Sequence, residues 1–131
     1  MSALAKDIVD SYGALTEVRE GEWLNATGPI SLTLGFEHGV VVVSAEAEDD
    51  TITLSAAGPA SGRDVSAEPA WRDAIGRGLL WLWTLTNQQG YEDGCQFEFG
   101  EVGHGDRAEH LCIQAMVAGA TLHVSTVSAW L

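Results

Sequence analysis

At 131 residues, with 46% apolar side chains and five tryptophans, the chain has the size of one domain that can bury roughly two-thirds of its unfolded surface around a single core, and the composition excludes a disordered chain. Nineteen Asp and Glu against six Lys and Arg give a formal net charge of -13. A field of that sign repels phosphate backbones and anionic bilayers and speeds encounter with basic proteins, so a basic protein is the expected partner and neither nucleic acid nor membrane is.

The opening MSALAKDIVDSYG has no signal-peptide apolar segment, and no stretch reaches the roughly 18 apolar residues of a membrane span, so a cytoplasmic protein is expected. Leu4, Ile8, Tyr12 and Leu15 recur at helical spacing behind a capping Ser2, which predicts a helix over residues 3 to 13 ended by Gly13. From Leu15 the period becomes two. LTEVRE, SLTLGFEH, VVVVSAEAE and TITLSA read as strands, with turns at His38-Gly39 and Asp49-Asp50 making an antiparallel meander. Leu32, Leu34 and Phe36 should share one face, and Ile52 and Leu54 should point inward.

Residues 57 to 69, rich in Gly, Pro, Ser and charge, read as a long loop within a single domain 1-131. Trp71, Ala74, Ile75 and Gly78 follow Pro69 at a spacing that suggests a second short helix. GLLWLWTLTN is an apolar run whose periodicity is equivocal; its Trp and Thr content predicts a strand, with Trp81, Trp83 and Leu85 on one face and both tryptophans expected in the core. NQQGYEDG is turn chemistry leading into CQFEFG, where Cys95, Phe97 and Phe99 alternate with Gln96 and Glu98. HLCIQAMVA and TLHVSTVSAW close the chain as a hairpin across Gly119. The expected fold class is α+β, with the N-terminal helix packed on a twisted, mainly antiparallel sheet of about six to eight strands.

Signals for catalysis are weak. His38, His104, His110 and His123, with Asp93, Asp106 and Glu109, match no metal-ligand spacing, and His104-Gly-Asp106 is ordinary loop chemistry. Cys95 and Cys112 lack CxxC spacing and are expected as buried thiols. Neither a nucleophile elbow nor a phosphate-cradling loop is present. The expectation is accordingly no catalytic residue, no metal and no cofactor.

Two surface features suit recognition instead. Glu46, Glu48, Asp49 and Asp50 stand at a hairpin tip, where they form either a docking surface for a basic protein or simply a solvated turn. Asn87, Tyr91 and Asp93 lie in the turn after the Trp-rich strand, offering polar and aromatic contacts that also have a purely structural explanation. WLWTLTNQQGYEDGCQFEF, with its W-x-x-x-N-x-x-G-Y-x-D-G pattern, resembles the signature region of a family of small uncharacterised bacterial proteins; the resemblance implies a compact α+β fold and carries no activity or catalytic residue. In composition alone the chain is similar to immunity proteins that neutralise toxins.

The expected function is a non-catalytic protein-binding domain, with an immunity-type protein occluding a basic toxin or nuclease as the concrete form. Alternatives are a small-ligand binder or enzyme with a pocket near Trp83, Tyr91 and a histidine, or a self-associating subunit, monomer or homodimer, using Trp23 or Trp130.

Overall fold

A computed structural model of the protein describes residues 2–56, 61–101 and 111–127. The helix α1 spans Ala3–Ser11, with the Ser2 side chain accepting from the Ala5 amide at its N-cap. Ala5 and Ile8 are buried, and Gly13, at φ +77°, supplies the left-handed residue that releases the chain into the first strand. The strands are β1 (Leu15–Glu20), β2 (Trp23–Leu24), β3 (Gly28–Pro29), β4 (Ser31–Phe36), β5 (Gly39–Glu46), β6 (Thr51–Ala56), β7 (Arg63–Asp64), β8 (Gly78–Thr86), β9 (Glu92–Gly100), β10 (Leu111–Ala118) and β11 (Thr121–Val127).

They form two main antiparallel sheets, ordered β6-β5-β4-β1-β7 and β11-β10-β9-β8, and a small β2-β3 ladder. The predicted meander is present as β4-β5-β6, and the predicted final hairpin pairs Ala118 with Thr121. The expectation of one continuous sheet is corrected: the strands divide into two layers, with β6 against β9 and β10, and α1 against β8. Both layers are apolar on one face, and meeting face to face is how such faces leave water.

The core between them takes Leu15, Val18, Leu32, Leu34, Val41, Val43 and Ile52 from the first sheet and Leu82, Cys95, Phe97, Phe99, Ile113, Ala115 and Leu122 from the second. Phe97 stacks on Phe99 at 6.2 Å and meets the edge of Trp71 at 6.4 Å.

The segment between the sheets departs from expectation in two ways. Within the expected loop, Arg63–Asp64 pairs with β1 and Val65 is buried, anchored by Ser66 Oγ accepting from Val18 N at 2.9 Å. In place of a second helix, residues 68–76 form successive turns closed by bonds such as Trp71 N to Glu68 O at 2.9 Å and Ala74 N to Trp71 O at 2.8 Å. The apolar spacing there seats Trp71 and Ala74 in the core, 3% and 0% exposed, with no helix needed.

Among the described residues no helix is long and apolar enough to cross a membrane.

Candidate functional site

β8 is a strand, as its Trp and Thr content predicts, but its tryptophans face away from the core. Leu79 and Leu82 point inward opposite Phe99 and Phe97, while Trp81 and Trp83 stand across from Glu98 and Gln96 and are 41% and 47% exposed. A register shift between Leu79 and Trp81 rephases the strand, so the assignment of Trp81 and Trp83 to the core is corrected. The face opposite the core reads across β8, β9, β10 and β11 as Trp81, Glu98, Cys112, Val127, then Trp83, Gln96, Gln114, Ser125, then Leu85, Gly94, Met116, His123. The indoles of Trp81 and Trp83 lie 5.6 Å apart at 48°, and Trp83 Nε1 donates to Glu98 Oε2 at 2.7 Å.

Both groups of predicted contact residues stand at one end of the two layers. The β8–β9 and β10–β11 turns share that end of the second sheet, since Leu85 pairs with Gly94 and Gly94 with Met116. The β5–β6 turn of the first sheet joins them, because Asp50 Oδ1 accepts from Ala120 N at 2.9 Å. Beside it lies the β2–β3 ladder, where Gly28 packs against Thr121 and Leu122 and where Trp23, Leu24 and Ile30 are exposed. Glu46, Glu48, Asp49 and Asp50 are exposed here, and so are Tyr91 and Glu92. No Lys or Arg occurs in the three turns, spanning residues 46–51, 86–92 and 118–121.

The acidic residues are not equivalent. Asp50 clasps the opposite sheet, Asp49 Oδ1 accepts from Thr51 Oγ1 at 2.7 Å, and Glu46 Oε1 accepts from Thr53 Oγ1 at 3.1 Å. Asn87 has a structural role: its Oδ1 accepts from Gln89 N at 2.9 Å and Tyr91 N at 3.1 Å, while its Nδ2 donates to Asp93 Oδ2 at 3.4 Å. Asn87→Ala, which removes these bonds from a two-strand turn, should lower unfolding stability by about 1–2 kcal/mol in urea titrations while leaving the Trp81–Trp83 face intact. Tyr91 is 48% exposed, so its ring is presented by the turn that Asn87 holds.

The histidine constellation does not assemble among the described residues. His38 lies in the β4–β5 turn and His123 near the start of β11, where its Nε2 is 3.1 Å from Thr121 Oγ1. His104, Asp106, Glu109, His110 and Trp130 fall outside the described residues. Among those described, no group of three His, Cys, Asp or Glu is placed to hold a metal. Cys95 and Cys112 are free and buried on opposite faces of adjacent strands, Cys95 opposite Ala115 and Cys112 opposite Glu98. Burial pushes the Cys95 thiol up to about 12 and, with Glu98 as a lesser cause, raises that of Cys112, so both stay protonated and poorly nucleophilic. A cavity of about 290 Å³ lies between α1, β6 and β8, walled by Ser2, Ala5, Leu54, Trp81, Leu82, Trp83 and Thr84 and carrying no acid or base among them.

Sequence reasoning missed the bond from Trp83 to Glu98 and the exposure of Trp81 and Trp83. The alternation in CQFEFG already separates Glu98 from the phenylalanines; which strand lies opposite is a tertiary fact. No curated protein and no solved structure matches the chain. A family model described as a family of unknown function (DUF6334) matches residues 10–130, and the chain belongs to that family.

Proposed function

We propose that this domain is a non-catalytic binder of a basic protein, docking through the end where the β5–β6, β8–β9 and β10–β11 turns meet. The observation that carries this reading is the convergence there of Glu46, Glu48, Asp49, Asp50 and Glu92 in turns without a basic side chain, next to exposed Trp23 and Tyr91. Exposed aromatic anchors beside acidic turns suit a partner of opposite sign, with charge setting the encounter rate and the aromatic side chains holding the complex. An immunity-type protein that occludes a basic toxin or nuclease is the concrete form of this function.

The test is complex formation with purified basic proteins encoded beside this chain, followed by size-exclusion chromatography and by association kinetics at several salt concentrations. A complex whose association slows as salt rises is expected. The triple variant Glu46→Gln, Glu48→Gln, Asp49→Asn should slow association by about tenfold at low salt, with unfolding unchanged because each amide keeps an acceptor oxygen. Asp50 is left out because it holds Ala120. Unchanged elution with every such partner at low salt would sink the proposal.

A further inference from the structure

The tryptophan face of the second sheet has a chemistry that the acidic turns do not explain. Trp81 and Trp83 are 41% and 47% exposed, and their rows on the same face hold Glu98, Cys112 and Val127 beside Trp81 and Gln96, Gln114 and Ser125 beside Trp83. A purely apolar partner would cover Gln96, Gln114 and Ser125 and offer them no hydrogen bond, which costs free energy. A ligand suited to this face carries a flat surface for the indoles together with several hydrogen-bond donors. Guanidinium has both properties: it stacks on aromatic faces and presents five N–H donors to amide and carboxylate oxygens. The bond from Trp83 Nε1 to Glu98 Oε2 holds the ring in place and sets a carboxyl group beside it. The indole planes are tilted by 48° rather than stacked flat on each other. With a net charge of -13 on every chain, a second copy is a poor occupant and a basic segment a good one.

We propose that the Trp81–Trp83 pair is an arginine-recognition site, at which a guanidinium of the basic partner lies against the indole faces beside Gln96 and Glu98. This rests on the reading that the partner is basic, but it puts a specific contact on a different surface from the acidic turns.

The probe is a dodecapeptide containing arginine, compared with the same peptide carrying citrulline and with one carrying lysine, each titrated into the intact chain at physiological salt. Indole Nε1–H resonances, assigned through Trp→Phe variants, report the site directly. The arginine peptide should shift the Trp81 and Trp83 resonances, and the isosteric neutral citrulline peptide should not. Trp83→Ala should weaken arginine-peptide binding by about five- to twentyfold, with Trp83→Phe intermediate because a benzene ring keeps part of the attraction. Three outcomes overturn the proposal: no indole shift with millimolar arginine peptide at low salt, equal binding by the arginine and lysine peptides, or full affinity in both Trp81→Ala and Trp83→Ala. The neutralised-turn variant separates the two surfaces. If it retains the indole shifts but still associates normally with the basic partner, the acidic-turn reading fails and the arginine site stands; full peptide affinity in both alanine variants has the reverse meaning.

Discussion

Phe97→Ala is expected to destabilise the domain by about 3–5 kcal/mol in urea or guanidinium unfolding, the range for deleting a large buried aromatic side chain. Phe97 is 1% exposed and lies in the hydrophobic core: it stacks on Phe99, meets the edge of Trp71 and pairs in the ladder with Leu82 and Ile113. Because β9 is central in its sheet, its backbone is fixed on both sides and the cavity cannot close by strand movement. A loss of that size is a large part of the roughly 5–15 kcal/mol that holds a domain folded, so a fraction of the variant should be unfolded at 37 °C. Phe97→Leu, which keeps most of the apolar volume, should recover over half of the loss. A midpoint for Phe97→Ala close to that of the parent would mean the two sheets do not pack through this residue.

Alkaline pH should expose a second large effect, centred on Cys95. Its thiol ordinarily ionises near 9.0 but is pushed up to about 12 by burial. The folded state therefore favours the neutral form. Stability from this group is complete below pH 9, where thiols of both states are protonated, and is lost as pH rises from 9 toward 12 while only the unfolded thiol ionises. The slope is about 1.4 kcal/mol per pH unit in that window, or a loss of about 2 kcal/mol by about pH 10.5. The signal is the difference between the parent and Cys95→Ala, since other groups titrating in the same range are common to both. Denaturation midpoints of the parent should fall faster with pH than those of the variant, and parallel curves would show that Cys95 is not sequestered.

Much of this architecture is legible in local pattern. Ser2 as a cap, the alternation in TITLSA and CQFEFG, and the Gly119 turn each dictate local conformation through sterics or period, and each is found in place. What local pattern does not encode is partnership. β1 extends the β4-β5-β6 meander and takes β7 on its other side, and the chain then crosses from one sheet to the other, so a run of strands reads equally as one sheet or two. Trp81 and Trp83 show the same limit at the scale of one strand. An apolar run is expected inside, but the register shift after Leu79 leaves Leu79 and Leu82 to fill the core and turns the indoles outward. The acidic tip and the Asn87 turn are each visible in sequence, 37 positions apart from Asp50 to Asn87; their shared end follows from strand direction, which alternation does not specify.

The clasp between Asp50 and Ala120 bears on kinetics. Gly119 and Ala120 are both left-handed, at φ +61° and +69°, and Asp50 itself sits at +53°, so two strained turns from different sheets are fastened to each other by one bond. A tip tied down in this way has little conformational freedom left to lose. In the proposed docking role a partner would meet carboxylates already arranged, and such preorganisation lowers the entropic cost of association and shows chiefly as a long residence time. Cutting the clasp with Asp50→Ala should therefore shorten the lifetime of a bound complex more than it slows its formation.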